Sequence, residues 1–443
     1  MTLNPQKHRP CYEIFIITPN PTAMMKISFQ ALLATRRVAS AIHATVLTDQ
    51  DQLEMYEYRG QEYLRQFFDR EMFEHLAEQT NLYSVQKSGK STNTDADERE
   101  QFVGIFLMTG LIPVPQYHFY WNEKLQFTPV SQTMSKNRFK QLRRYFHAAD
   151  NSKILPKLDP GFDSLFKLRP FLDALQEKCL AVAPEEAQSI VYQFAAYIGA
   201  DTLKESQDYQ LGFGDNIVMA LCDGLPNASN FKGTFDNWFC SIELIEDLKR
   251  RGIFSCGRIR ANQMRNCVLE SEKDFRKRGR GSFDYNVENS ENVVVVRWLD
   301  NKAVQLASSY TGVEPEDQVK RWSASEKKHI LVTRPAIVKT YNETMGGVDL
   351  ADQLIEYYRI PTCFFKWYIK LFVHFLNLTA INSWLLYRRH AQQLQLSKQM
   401  TLFEFILDVS DALQRSLEPC EGRWRKEGSR DDEQGGGIGI FIT

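Results

Sequence analysis

From Gln61 to Asp150 apolar residues recur in steps of three and four. Tyr63, Phe67, Phe68, Met72, Phe73, Leu76 and Ala77 make one such row, and Phe102 to Leu111 another that Pro113 and Pro115 close. That spacing puts the apolar residues on one face of a helix, so this stretch of the chain reads as helical, with SGKSTNTDADE, Ser88 to Glu98, as a polar linker. After a loop marked by Pro156, Pro160 and Gly161, the habit returns in Phe166 to Leu180, through Leu168, Phe171, Leu172 and Leu175. The period then changes. Val191 to Ile198 is mostly apolar, as a central strand buried on both faces should be. Phe231 to Phe235 and Ile253 to Arg260 read as further strands, with helices at Ile217 to Leu221 and Ser241 to Arg251. Such alternation is the order of an α/β layer. Val293 to Trp298 and Ala303 to Ser308 read as a hairpin turning at Asp300 and Asn301. Lys366 to Arg389 is helical, and its Trp367, Tyr368, Phe372, Phe375 and Trp384 read as core packing, with His374 a satisfied core residue. At the front, Ile27 to Leu47 has amphipathic helical spacing through Phe29, Leu32, Leu33, Val38, Ile42 and Val46. Pro19, Pro21 and the polar run after Thr48 isolate it, so residues 1–60 read as a poorly ordered leader.

Two stretches carry candidate chemistry. In YNETMGGVDLADQLIEYY, Tyr341 to Tyr358, Gly346 and Gly347 break what precedes them. Helical spacing then puts Leu350, Leu354, Tyr357 and Tyr358 on one side, and Asp349, Asp352, Gln353 and Glu356 on another. Asp349 and Asp352 thus stand one turn apart at a helix start. They serve either as an N-cap and a first-turn acid beside the positive helix end, or as metal ligands completed by an acid from elsewhere. FDNWFCSIELIEDLKRRG, Phe235 to Gly252, offers Asp236 just before an amphipathic helix.

Charge alters the picture little. Fifty-four basic residues balance fifty-five acidic ones, so any nucleic-acid surface must come from distribution and not from the sum. Arg138, Lys140, Arg143 and Arg144 lie on one amphipathic segment, and Arg276, Lys277, Arg278 and Arg280 lie among glycines. Each group is either a solvated surface or a phosphate contact, and the second is also a candidate nuclear-import patch. The eight cysteines form no CxxC pair, which argues for reduced thiols and against a thiol-ligated zinc site. No apolar run reaches the length that spans a bilayer, so a nuclear or cytosolic protein without a membrane partner is expected.

The pairing of FDNWFCS with YNETMGGVDLADQL, followed by KWYIKLFVHFLNLTAINSWLLYRR, resembles the piggyBac transposases and the piggyBac-derived domesticated proteins of animal genomes. FFDREMFEHLAEQTNLYSVQK, FVGIFLMTGLIPVP and MSKNRFKQLRRYFHAAD agree, and the resemblance runs from about Gln61 to about Leu407. It implies α/β plus α architecture: an RNase H-like DDE core inside a helical dimerisation and DNA-binding region, with a small β-rich insertion. The helical region is then 61–190 and 356–410, the core 191–262 and 333–355, the insertion 263–332, and 411–443 a disordered tail. A nuclear DNA-binding protein follows, with a homodimer and DNA as partners.

In that family two magnesium ions held by aspartates hydrolyse and transesterify DNA phosphodiesters. Carried over residue by residue, Asp236 matches the second catalytic aspartate, Asp349 the third, and Asp352 an acidic position beside it; Asp236 and Asp349 would be the magnesium ligands. The first aspartate has no match. APEEAQSI, Ala183 to Ile190, runs directly into VYQFAAYIGAD, which resembles the family's second core strand, and the strand bearing the first aspartate is missing. Asp201 and Asp223 are the nearest substitutes in sequence. Either another segment fills the vacated place in the sheet or the core is weakened. The family's cysteine-rich zinc module is absent too, since only Cys420 lies beyond Cys363. The expectation is a DNA-binding relative without catalysis; an active strand transferase and a helical interaction relic are the alternatives.

Overall fold

A computed structural model of the chain describes residues 11–17, 24–31, 60–125, 127–182, 190–196, 209–223, 231–265, 267–288, 292–361 and 366–415; the side chains of 11–17, 24–31, 195–196, 272 and 346–349 are not among what is described. Asp201, the polar run after Thr48 and the glycine-rich tail lie outside these residues.

The elements alternate largely as the pattern required. Two strands, β1 (Cys11–Ile17) and β2 (Met24–Ala31), precede helices α1 (Gly60–Arg65), α2 (Arg70–Ser88), α3 (Ala96–Leu111), α4 (Lys136–Tyr145) and α5 (Arg169–Ala181). Then come β3 (Val191–Ala196), α6 (Phe213–Cys222), β4 (Phe231–Phe235), α7 (Ile242–Arg250), β5 (Ile253–Arg258) and α8 (Glu272–Lys277). Strands β6 (Phe283–Glu288), β7 (Val293–Leu299), β8 (Ala303–Ser308), β9 (Asp317–Ser323) and β10 (Lys328–Arg334) follow. Helices α9 (Ala336–Thr344), α10 (Gly346–Tyr357), α11 (Trp367–Gln393) and α12 (Leu402–Gln414) complete the order.

Eight strands form one mixed sheet in the order β3-β1-β2-β4-β5-β8-β7-β6, and β9 and β10 pair separately. The N-terminal segment therefore sits inside the sheet. Strand β1 runs parallel to β3, β2 runs antiparallel to β4, and the two pair with each other as an antiparallel hairpin. Ile27 to Ala31, read from spacing as the start of a helix, is strand here. The expected insertion is not a separate body either, because β8 pairs with β5 and extends the same sheet through β7 to β6.

Strand β3 was expected at the centre of a sheet and lies at its edge. Its outer backbone groups are instead met by side chains from two helices. Asn382 of α11 accepts from Val191 N at 2.9 Å and donates to Val191 O at 2.8 Å, and Gln176 of α5 accepts from Phe194 N at 3.0 Å.

The main core is helical. Phe68, in the turn before α2, packs ring against ring with Phe171 of α5 and Phe372 of α11, and α12 lies so close on α3 that a Cβ on Gly104 would stand 3.0 Å from Ser410 O. Helix α11 is long and apolar enough to cross a membrane by composition, contrary to expectation, but 89% of its most apolar window is buried in this core. Trp367, expected in the core, is 44% exposed. His374 is buried, yet among the described residues neither ring nitrogen finds a hydrogen-bond partner, so it is a core residue but not a satisfied one.

Candidate functional site

Asp236 stands where β4 ends. The backbone turns at once, with Phe239 N donating to Asp236 O at 2.9 Å, and Ser241 caps α7 by accepting from Leu244 N. Two glycines allow this turn to seat: a Cβ on Gly257 would meet Cys240 Sγ at 2.8 Å and Phe235 O at 3.0 Å, and one on Gly214 would meet Trp238 O at 2.5 Å. Asp236 itself is half-buried.

The second stretch reaches the same place through α9. Thr234, buried and two residues before Asp236, donates to Thr344 at 2.8 Å, and Thr344 in turn donates to Thr340 O. Tyr341, one turn earlier, is held neutral to a higher pH than usual, first by burial and then by the negative charge of Asp236. The segments that sequence reasoning paired are therefore neighbours in space.

The helix start differs from the expected one. Helix α9 ends at Thr344, so a break does fall just before the glycines, and Gly346 and Gly347 form the first turn of α10, whose N-cap is Met345. Asp349 is therefore a helical residue and not the cap, and Asp352 lies three residues on, half-buried. The buried face of α10 is Ala351, Leu354 and Ile355, whereas Leu350 and Tyr357 are exposed at 43% and 59%. Helix α10 lies over β1 and β2. Of the proposed substitutes for a first aspartate, Asp223 is hydrogen-bonded by Arg251 at 3.0 Å and by Tyr209. Arg251 precedes β5, and β4 and β5 are parallel, so Asp223 lies at the opposite end of this pair from Asp236.

Sequence reading missed three groups beside the site. Asp215, buried in the first turn of α6, accepts from Ser241 at 2.8 Å through one oxygen and among the described residues has no partner for the other. Burial pushes its carboxyl up to about 6. Arg258 is exposed at the end of β5, and Arg260 lies 5.2 Å from the ring centre of Trp238 and donates to Asn237 at 3.4 Å. Only the strand pattern of IFSCGRIR was visible in sequence; that its arginines flank Asp236 follows from the parallel pairing of β4 with β5. Among the described residues, no three His, Cys, Asp or Glu side chains converge.

The two basic groups are largely engaged. Arg138 forms paired bonds to Glu98 at 2.5 and 2.7 Å and donates to Thr92 O at 3.0 Å, tying α4 to α3. Arg143 lies 4.0 Å from the ring centre of Tyr117, while Lys140 and Arg144 are exposed. In the second group Lys277 pairs with Asp274, Arg278 with Glu270 and Arg280 with Asp300. Arg276 and Lys277 are part of helix α8 and not of a glycine loop.

These features define a transposase fold: a helical body built around a mixed sheet, with an aspartate at one strand end and an acidic helix beside it. A solved piggyBac transposase synaptic complex with hairpin DNA has the same fold, with a TM-score of 0.66 at 21% identity over 81% of this chain and 80% of that one. A family model described as transposase IS4 matches residues 59–191 and 185–384, and the chain belongs to the piggyBac transposase family. Human PiggyBac transposable element-derived protein 3 is 30% identical over 75% of this chain and 62% of its own length. Human PiggyBac transposable element-derived protein 2 is 27% identical over 74% and 61%, and the human chimeric ERCC6-PGBD3 protein is 30% identical over 75% and 34%. The chain thus spans about three fifths of two of these relatives and about a third of the other.

Proposed function

We propose that this protein is a nuclear, transposase-derived DNA-binding protein that does not cut DNA. The reading takes the sheet from β3 to β5 as a remodelled RNase H-like core, and DNA as the partner, in line with the hairpin DNA of the piggyBac synaptic complex.

The observation that carries the loss of cleavage is the identity of the strand beside Asp236. By the family resemblance, the first aspartate belongs on a strand inside this sheet, and the inner strand paired with β4 is β2. Here β2 has the sequence MMKISFQA, which contains no acid. Its register sets Ile27 opposite Phe235, so Lys26 follows at the level of Asp236. Strand β5, on the other side, carries no acid either. A magnesium pair asks for converging carboxylate oxygens, and phosphoryl transfer asks for little else from a protein. Strands that offer a lysine and no carboxylate do not fit two such ions. Asp236, Asp349 and Asp352 are then remnants of a site without a metal-dependent step.

The test is paired. Electrophoretic shift of duplex DNA should be strong at low salt and fade as salt rises, since phosphate contacts release counterions. Mg²⁺ or Mn²⁺ added to the complex should leave the DNA intact. No retardation at low salt refutes the binding half, and metal-dependent nicks that vanish in Asp236→Asn refute the other.

A further inference from the structure

Four cations from four elements meet at the junction of α2, α4, α5 and α11. Lys87 lies in the last turn of α2, Arg144 in the last turn of α4, Lys167 just before α5, and Lys366 at the N-cap of α11. Lys366 is half-buried, and its ammonium donates to Arg144 O while lying 5.4 Å from the ring centre of Tyr83 and 5.6 Å from that of Tyr368. Lys167 approaches the same Tyr368 ring, at 5.5 Å. Tyr83 is itself stacked on buried His147 at 3.8 Å, which fixes its ring.

Among the described residues none of the four cations has an acidic partner. Asp150 and Asp163, which follow Arg144 and precede Lys167 in sequence, are taken up elsewhere: Gln86 and Ser152 donate to Asp150, and Arg169 donates to Asp163 at 2.8 Å. Like charges brought this close without a counter-charge oppose folding, and the strain is visible in the ammonium of Lys366. Burial, then Lys167, Arg144 and Lys87, lower it to about 8. The same two lysines, Lys366 and Lys167, help to depress His147. Helix α11 has no side-chain cap, and the N-terminus of its 27 residues adds partial positive charge at the same point.

We propose that Lys87, Arg144, Lys167 and Lys366 form a notch that takes a backbone phosphate of duplex DNA. Lysines act as point charges toward phosphate, and the Tyr83 and Tyr368 rings hold Lys167 and Lys366 in place beneath it. Lys140, exposed one turn before Arg144 on α4, continues the track along the surface. The site rests on the DNA-binding reading above and locates it away from Asp236. It also assigns a role to Arg144 that Arg138, held by Glu98, does not share.

The test compares the full-length protein with Lys87→Ala/Lys167→Ala and with Lys366→Met, using anisotropy of a labelled duplex across a salt series. Each phosphate contact removed should flatten the dependence of log K on log salt by about 0.9, and the double variant should bind about tenfold or more weakly at low salt. A second readout needs no variant: in the native protein Lys366 should be acylated faster than other lysines near neutral pH, and bound duplex should protect it. Wild-type binding with unchanged slopes and no protection overturns the notch while leaving the DNA reading in place. Failure of the wild-type protein to bind overturns both.

Discussion

Thr234 and Thr344 are 110 positions apart in sequence and joined by one buried hydrogen bond of 2.8 Å. The bond fixes β4, which Asp236 follows, to the end of α9, from which the chain runs into α10 and Asp349, so it holds the two diagnostic stretches together whether or not they still perform chemistry. Thr344→Val removes the acceptor for Thr234 and leaves that hydroxyl buried. The expected cost is about 1–3 kcal/mol in urea unfolding, with the double variant Thr234→Val/Thr344→Val milder than the sum of the singles. Additive effects would show that the two hydroxyls do not act as a pair.

The hairpin of β1 and β2 fills the sheet between β3 and β4 and lies under α10. Deleting residues 1–31 should expose the ladder edges of both strands and the underside of α10. The expected outcome is aggregation, or a midpoint of thermal unfolding lower by several degrees, in light scattering and calorimetry. A truncated protein as stable and monodisperse as the full chain would exclude the hairpin from the sheet.

Asp215 carries a raised carboxyl, ordinary value 3.8 and here about 6, so the folded state binds the proton more tightly than the unfolded chain. The group therefore lowers stability as pH rises from about 4 to about 6, and the loss persists above that. Asp215→Asn should stabilise at pH 7 by up to about 3 kcal/mol and have little effect below pH 4. His374 has the opposite sign. Burial holds it near 4 instead of 6.5, so it weakens the fold as pH falls from about 6.5 to about 4. His374→Phe should flatten the acid limb of stability measured against pH, and an unchanged limb would remove the histidine from the explanation.

Arg99 is 1% exposed, and among the described residues none of its three guanidinium nitrogens has a hydrogen-bond partner. Burial lowers its pKa to about 9. A buried charge without a partner costs more than an apolar side chain of similar volume. Arg99→Met should be neutral or more stable by about 1–4 kcal/mol in urea unfolding. A marked destabilisation would reveal a partner for the guanidinium.

Much of this was legible in sequence because local pattern sets it. The runs Phe231–Phe235, Ile253–Arg258 and Val293–Leu299 are strands because β-branched and aromatic residues fill a largely buried pleat, and the rows through Phe73 and Leu172 are helical because they share one face, although the row from Tyr63 to Ala77 is interrupted by a turn at Phe67 and Phe68. The pairing of FDNWF with MGGVDLADQ was legible through family resemblance, and the contact of Thr234 with Thr344 places those segments together. What was not legible depends on partners distant in sequence. Nothing local in CYEIFII or MMKISFQA says that they enter a sheet next to residues more than 150 positions later. The ion pairs of Arg138 and Arg280 depend on Glu98 and Asp300, and the edge position of β3 depends on Asn382 and Gln176. The N-cap reading of Asp349 failed because the new helix begins at the glycines themselves, with only Met345 separating it from the helix before.

The most direct measurement is a cleavage assay on labelled hairpin and linear duplex DNA, with Mg²⁺ or Mn²⁺, run on complexes whose formation at low salt is verified on the same gel. The expected result is a retained, salt-sensitive complex in which every strand stays intact, in the wild-type protein and in Asp236→Asn alike. Nicked or joined strands that depend on the metal and disappear in Asp236→Asn would contradict the claim that the β2 strand has left this fold without its cutting site.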